Sequence, residues 1–335
     1  MRSKKLVATW LGLIVFAVCS VNADVTQGPL SEKTVADVPA LIQALKADAM
    51  GTRWNAALLL GELGDKSAVP ALMESAEKDA NLRVRRRAIE ALGKLGDQAA
   101  LPVLIAALKD DDRFVRRDAA RALGALGDKS AVPELIVLLQ DSEGFVRRDA
   151  ARALGVLGDT SAIPALQALL DEKAEAYSQD APLAADEMSP VVREACFALA
   201  ELGGESALSA LAITAKHTTG QVRVRTAAAL GQLGAAGVPL LTEALGDAER
   251  DVRLAAIAGL RQVGAPSGVP GLLEGLKSED EPTQRAAVEA LGALGDKSVI
   301  PALQDALKTL TEKNPNSRLI RVMRVTLKSL ETAGQ

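Results

Sequence analysis

The chain repeats itself at a short, fixed interval, and this constrains its fold more than any other feature. Residues 131–159 read AVPELIVLLQDSEGFVRRDAARALGVLGD, and residues 100–128, which start 31 positions earlier, read ALPVLIAALKDDDRFVRRDAARALGALGD. A period of this size is typical of proteins built from stacked structural repeats. One such unit cannot bury its apolar side alone, so we expect the units to stack and to share a continuous core.

Each unit predicts a pair of helices. Pro133 suits a first helical turn, where a missing N–H has no partner to lose, and apolar residues follow it at helical spacing. Residues 140–144 interrupt this pattern, and a second apolar stripe runs from Val146 to Leu157. Gly158 then ends the second helix as a C-cap glycine.

The proline of the first helix marks the register of the repeats. It recurs at eight equivalent positions, and Ser209 takes its place once, after an interval of 45 residues instead of about 31. We therefore predict nine two-helix repeats within residues 39–330, forming an all-α, right-handed α-solenoid of about 18 helices. The equivalent positions are Pro39, Pro70, Pro102, Pro133, Pro164, Ser209, Pro239, Pro270 and Pro301.

An acidic insertion at residues 171–189 accounts for the long interval. Its sequence, DEKAEAYSQDAPLAADEMS, holds six acidic residues and one lysine. Insertions in solenoids form loops on one face. Two interpretations stay open, a solvated acidic loop or a partner-binding arm with Tyr177 as its anchor.

The N-terminal segment differs in kind from the repeats. A basic start, an apolar run at residues 6–18 and the small-residue sequence VNA at 21–23 are typical of a secretory signal peptide. We expect residues 1–23 to be removed, which gives a secreted or periplasmic protein with a leader at 24–38 and no membrane span. The alternatives are a retained membrane anchor, for which the apolar run is short, and a lipoprotein attached through Cys19.

Composition and charge exclude several classes of function. Aromatic residues make up only 2% of the chain, which disfavours a large cofactor pocket. Loss of the three basic residues of the N-terminal segment would change the net charge from −4 to −7, whereas nucleic-acid binders usually have a basic excess. We therefore expect neither a cofactor nor a nucleic-acid partner.

Residues for catalysis or metal binding are scarce. The sole histidine, His217, lies in the loop AKHTTG, where we expect a surface position, and Cys196 lies in a helical pattern as a buried small hydrophobe. One histidine and one cysteine of the mature chain cannot supply the usual clustered ligands of a metal site. Asp110, Asp111 and Asp112 are expected to cap the second helix rather than to bind Ca²⁺.

The pattern AVPxLxxxLxDxxxxVRRxAAxALGxLGD resembles the HEAT-like repeat first associated with phycobilin lyases, an armadillo-like helical repeat. The resemblance implies a curved solenoid that binds macromolecules, with the second helices on its concave side. Proteins with such repeats include pigment lyases, adaptor scaffolds and deoxyhypusine hydroxylase, whose iron site needs His-Glu pairs. No His-Glu pair occurs in this chain.

The absence of clustered histidines, cysteines and nucleophile motifs favours a scaffold that is not an enzyme and that binds protein partners. A regulatory subunit or enzyme of cofactor or pigment maturation is the alternative.

One arginine recurs at the same position of most second helices. This regularity predicts a structural ladder in which each arginine binds acidic or carbonyl groups between repeats. The members are Arg53, Arg85, Arg116, Arg147, Arg193, Arg223 and Arg253.

Further arginines follow the ladder position in neighbouring repeats, and they are the candidate binding residues. Residues four apart share a helix face, so these arginines are expected to form a two-by-two grid that points away from the core. In the first repeat, Trp54 stands at the position that follows the ladder arginine. It is either an apolar anchor or packs under residues 24–38. The candidate residues are Trp54, Arg86, Arg117, Arg121, Arg148 and Arg152, with Tyr177 of the insertion.

Two interpretations of the grid stay open. It is a solvated face, partly neutralised by Asp118 and Asp149, or a patch that binds an acidic protein surface or an anionic envelope polymer.

We predict that the protein is exported and cleaved after Ala23. N-terminal sequencing of protein from the cell envelope should then begin at Asp24, because the small-residue sequence ends there. An intact Met1 on cytoplasmic protein would contradict export, and a lipid on Cys19 would favour the lipoprotein.

Overall fold

A computed structural model describes residues 37–177, 185–217 and 219–332, and within these ranges it describes side chains except at 172–177 and 185–189. The regular elements of the described residues are all helical, which confirms the all-α prediction. The expected signal peptide, and all but the last two residues of the expected leader, lie outside the described residues.

The helices fall into two compact units, and the chain passes from one to the other between Leu157 and Gly158. The described part of the first unit contains four helix pairs, each with a first helix shorter than the second. Its helices are α1 (Val38–Ala44), α2 (Met50–Leu63), α3 (Val69–Lys78), α4 (Leu82–Leu95), α5 (Leu101–Ala107), α6 (Arg113–Leu126), α7 (Val132–Leu138) and α8 (Gly144–Leu157).

The described part of the second unit contains five helix pairs. Its helices are α9 (Ile163–Tyr177), α10 (Ala185–Leu202), α11 (Gly204–Thr214), α12 (Gly220–Gln232), α13 (Val238–Ala244), α14 (Arg250–Val263), α15 (Val269–Gly275), α16 (Glu281–Leu294), α17 (Ile300–Lys313) and α18 (Arg318–Thr332).

Helix starts and ends follow the local chemistry that the sequence predicts. Before α7, the Asp128 carboxylate accepts a hydrogen bond from the backbone N–H of Ser130 at 2.9 Å, and Pro133 lies in the first turn of the helix. Gly127 ends α6 with φ +77°, a left-handed conformation that glycine adopts without steric cost. At the start of α6, Asp112 accepts from two backbone N–H groups and confirms the predicted cap.

Neighbouring second helices approach each other closely through small residues. A Cβ atom added to Gly93 of α4 would lie 2.8 Å from the Cα of Ala122 in α6. The equivalent atom on Gly124 of α6 would lie 3.1 Å from the Cα of Ala153 in α8. The leucine before each of these glycines is fully buried. The first glycine of the repeated LGxLG sequence is therefore a close packing point, and the second ends the helix.

The predicted arginine ladder is present within each unit. Arg116 of α6 donates to both carboxylate oxygens of Asp141, in the next repeat, at 2.6 and 3.1 Å. It also donates to the carbonyls of Asp110 and Asp111 in its own loop at 2.9 and 3.0 Å. One guanidinium thus ties the loop before its helix to the following loop. The same bonds join Arg53 to Asp79 and Arg223 to Asp247, and Arg253 contacts Asp280.

Ladder bonds favour the charged forms of both partners. Hydrogen bonds from Arg223 lower the pKa of the Asp247 carboxyl, although partial burial acts in the opposite direction. Because the folded-state pKa lies below that of the unfolded chain, this bond stabilises the fold above about pH 4. The stabilisation is lost as the pH falls through the folded-state value.

Arg193 differs from the other ladder members in the contact that the described residues show. Its guanidinium contacts the carboxylate of its own neighbour, Glu194, at 3.1 Å. His217 stands where the next loop of other repeats has an aspartate, and its Nδ1 accepts from the backbone N–H of Thr219 at 3.0 Å. The imidazole makes the turn bond of that aspartate but offers no carboxylate to an arginine. His217 is half-buried, so it has a structural role beyond the expected surface position.

The acidic insertion is partly helical. Helix α9 reaches Tyr177 and α10 begins at Ala185, so they contain 15 and 18 residues, against 7 and 14 in α7 and α8. A loop across the whole of 171–189 is therefore a wrong prediction, because both flanking helices continue into it. Residues 178–184 lie outside the described residues.

We predict that Arg116→Ala lowers the free energy of unfolding by roughly 2–4 kcal/mol, because it leaves the Asp141 carboxylate and two loop carbonyls without their donor. The control Arg285→Ala removes an exposed pair with Glu289 and should cost less than about 0.5 kcal/mol. Urea unfolding measures both, and equal losses would contradict a stabilising ladder.

We predict that His217→Asp restores the missing step of the ladder and raises the free energy of unfolding by about 1 kcal/mol. The aspartate keeps the turn bond to Thr219 and gives Arg193 a carboxylate. His217→Asn is the matched control, since it keeps the turn bond without the charge. The gain should be absent in the control and in the double variant with Arg193→Gln, and a gain in either would contradict the explanation.

Candidate functional site

The grid residues predicted in the first unit lie on three neighbouring second helices. Arg86 lies on α4, Arg117 and Arg121 lie on α6, and Arg148 and Arg152 lie on α8. The close approach of these helices at their glycines sets their arginines near one another. We name these five residues the arginine face.

Asp118 joins the first two arginines of this face. Its Oδ2 accepts from Arg86 Nε at 2.7 Å, and its Oδ1 accepts from Arg117 Nη2 at 2.7 Å. The bond to Arg86 crosses from α6 to α4, so one carboxylate on one helix holds guanidinium groups from two. The three side chains together keep one positive charge.

Asp149 has the same role one repeat later, in a more buried position. Its Oδ1 accepts from Arg148 Nε at 3.0 Å, and its Oδ2 lies 3.7 Å from Arg121 Nε. Asp149 is only 1% exposed, so it depends on its arginines for charge compensation. The expectation that the whole grid points away from the core is therefore wrong: Arg148 is half-buried as a counter-ion, whereas the Arg121 side chain is 55% exposed.

Two phenylalanines extend this face at the starts of α6 and α8. The rings of Phe114 and Phe145 stack with their centroids 5.5 Å apart and their planes at 15°. The guanidinium carbons of Arg86, Arg113 and Arg117 lie 5.0, 5.1 and 5.4 Å from the centre of the Phe114 ring. These distances are typical of cation–π contacts.

This stack was not predicted from the sequence, although a signal was present. Phe114 and Phe145 are two of only four phenylalanines in the chain, and both stand two residues before a ladder arginine.

Trp54 lies on α2 and is not a free anchor. The guanidinium of Arg87, on α4, lies 4.5 Å from the centre of its ring. Arg87 also donates to Glu90 at 2.6 Å. Trp54 is half-buried, and a contact with residues 24–36 would involve residues outside the described part of the chain.

An open groove of about 350 Å³ runs between α4 and α6 beside the arginine face. Gly93, Ala122 and Ala125 leave room at its floor, and Glu90 and Lys94 lie on its rim with three arginines of the face. Lys94 pairs with Glu62 and Glu90, so it adds no free charge to the groove.

Charge is distributed unevenly between the helices and the loops of this unit. Helices α4, α6 and α8 carry 12 basic and three acidic residues. Residues 70–163 as a whole hold equal numbers of basic and acidic residues, so their acids concentrate outside these three helices. The result is a positive surface on the arginine face of an acidic chain.

The other candidate residues offer little reactive chemistry. Cys196 is fully buried, and this burial raises the pKa of its thiol to about 12. Across the described residues, no cluster of three or more His, Cys, Asp or Glu side chains is placed to hold a metal ion. Tyr177 ends α9 in the second unit, and its side chain lies outside the described residues. None of the described helices is long and apolar enough to span a membrane.

Comparison with protein families identifies the repeats. HEAT repeats match residues 38–122, 101–185 and 238–317, and a PBS lyase HEAT-like repeat matches residues 222–247. These matches cover more than half of the chain. A sequence comparison with curated proteins finds no match.

Comparison with solved structures finds similar helical repeat proteins. The karyopherin Kap121p, bound to the extreme C-terminus of the protein phosphatase Cdc14p, is 18% identical with a TM-score of 0.56, over 88% of this chain and 37% of that one. The CpcE–CpcF complex of phycocyanin lyase from Nostoc sp. PCC7120 is 22% identical with a TM-score of 0.38, over 91% and 98%. Human deoxyhypusine hydroxylase is 24% identical with a TM-score of 0.32, over 81% and 99%. The likeness to Kap121p shows an α-solenoid fold.

Proposed function

The chain belongs to the HEAT-repeat family, and from this premise we propose that it is an exported, non-catalytic scaffold that binds an acidic protein partner through the arginine face. The excess of basic residues on α4, α6 and α8, next to a stacked phenylalanine pair, is the observation that carries this proposal. Arginine and aromatic side chains are enriched where protein interfaces gain most of their binding energy.

The shared aspartates support binding because they hold the arginines in place. Asp118 fixes Arg86 and Arg117 before any partner arrives, so less side-chain entropy is lost on association. A guanidinium that donates on one edge still has free donors on the other, and these can form paired bonds to a partner carboxylate. Among the arginines of the face that have a described ion pair, Arg121 is the most exposed. We therefore assign it the first contact with the partner.

The phenylalanine stack gives the proposed surface an apolar part. Phe114 and Phe145 are both half-buried, so each ring keeps area that a partner can cover. An acidic surface with an adjacent apolar side chain would match the arginines and these rings together. Electrostatic attraction would then speed association and orient the partner, and the rings would slow its release.

A role in pigment or cofactor maturation is the second candidate, since residues 222–247 match a PBS lyase HEAT-like repeat. Cys196 does not supply reactive chemistry for such a role, because its thiol is buried and its pKa is raised. In this role too, the chain would act by holding a partner. The proposals therefore differ in the identity of the partner.

Affinity capture from the cell envelope tests the arginine face. The double variant changes Arg121 of the face and Arg113, which lies over the adjacent Phe114 ring, to glutamine. Both side chains are more than half exposed, and the variant leaves Asp118 and Asp149 with their closest arginines. We expect capture of the partner to fall by about tenfold, because cations that contact a partner are lost. Raised salt should weaken wild-type capture in the same direction.

The matched control is Arg285→Gln with Lys277→Gln, which removes two exposed, paired cations of the second unit. It should capture the partner as well as wild type does. Equal capture by the site variant and the control, with helix content unchanged in both, would refute the arginine face as the binding site. If a soluble anionic polymer abolishes capture, and no partner protein is found in the captured material, the ligand would be an envelope polymer instead.

A further inference from the structure

The last helix, α18, is fixed to the second unit by one side only. Five apolar side chains on that side are buried, with at most 7% exposure. The opposite side carries four exposed cations and one large exposed apolar residue, Val325, which is 64% exposed. The buried residues are Leu319, Ile320, Met323, Leu327 and Leu330, and the exposed cations are Arg318, Arg321, Arg324 and Lys328.

Among the described residues, these four cations lack the carboxylate partners that the arginines of the arginine face have. Within the described residues, none of the four forms a salt bridge, whereas the described ion pairs of the arginine face all end on Asp118 or Asp149. The one acidic residue of α18, Glu331, accepts a hydrogen bond from Gln304 at 3.4 Å instead. From Arg318 to Lys328 the exposed side of α18 is therefore a stripe of positive charge, and the exposed Glu331 lies beyond it.

Solvent exposure alone does not explain this stripe. An exposed helix side must present polar side chains to water, but either sign of charge meets that need, and protein surfaces usually mix both. The HEAT match ends at residue 317, so the repeat pattern does not require these cations either. Arg318 and Lys328 lie about 15 Å apart along the helix at 1.5 Å per residue. Four positive charges without a described salt bridge over this distance form a concentrated patch on an acidic chain.

We propose that this exposed side of α18 docks on the anionic headgroups of a lipid bilayer. Charge complementarity identifies the ligand as anionic, and the shape of the surface favours lipid over protein. The exposed side of one helix is convex, and α18 has no aromatic residue, whereas protein partners are usually held by aromatic and arginine anchors in well-packed pockets. Mobile headgroups can instead gather under flexible side chains.

Docking of this kind is peripheral. The apolar side of α18 is buried in the protein, so it is not free to insert between acyl chains as an amphipathic surface helix does. Binding then depends on the four charges, and it should decline steeply with salt because exposed charges are screened beyond about 10 Å.

Vesicle flotation of the full chain tests the proposal. The probes are vesicles of phosphatidylcholine alone and of phosphatidylcholine mixed with phosphatidylglycerol. The apolar run at residues 6–18 can bind either kind, so the measured quantity is the excess bound to the anionic vesicles. The test variant changes all four cations to glutamine. The control makes the same charge change at four exposed residues elsewhere, Lys46, Lys109, Arg250 and Arg261.

We expect the test variant to lose more than about tenfold of the anionic excess, and the control to keep most of it. A third variant, with the three arginines of the stripe changed to lysine, should also keep it, because lipid attraction needs charge rather than a planar fork. Circular dichroism should give the same helix content for all variants.

Several results would overturn the proposal. Wild-type protein that shows no excess on anionic vesicles at low salt would do so, as would an equal loss in the test variant and the control. Binding of soluble polyglutamate through the stripe without binding of anionic vesicles would assign the surface to an acidic polypeptide instead.

Discussion

The arrangement of this protein depends on how closely its second helices approach. Gly93 and Ala122 allow backbone contact that a larger side chain at either position would prevent. At this spacing a long side chain on one helix reaches a short one on the next, and Arg86 of α4 can therefore bond to Asp118 of α6. The small residues of the core thus determine which charged groups meet on the surface.

The same spacing separates two kinds of arginine. Arg116 turns toward the loops, where Asp141 and two carbonyls take up its hydrogen bonds, so its role is to hold successive repeats together. Arg117, the next residue, points to the helix face and bonds to Asp118 beside it. Adjacent residues with the same side chain therefore stabilise the fold in one case and shape a surface in the other. The acids that satisfy the ladder lie in the loops, so the helices keep a positive excess.

The sequence contained most of the fold because each structural device recurs in each repeat. Proline at helix starts, glycine at helix ends and the ladder arginine are local signals, and their repetition made them readable. The exceptions depend on contacts across repeats that no single unit reveals. Arg193 matches the ladder in sequence, yet its carboxylate partner would have to come from the next loop, where His217 stands. The helical ends of the insertion were missed because its charges resemble those of a solvated loop.

The candidate site was only partly predictable for a related reason. Helical spacing placed Arg117 and Arg121 on one face, but it could not show that Asp149, on the next helix, is buried between arginines from two repeats. A buried carboxylate such as Asp149 distinguishes the arginine face from the stripe on α18. Arginines held by a buried carboxylate have fixed directions, which suits a partner of defined shape. Among the described residues the side chains of the stripe have no such carboxylates, which suits the mobile anionic surface that we propose for them. The kind of ligand that a cationic patch binds therefore depends less on the number of its cations than on whether the protein holds their side chains in place.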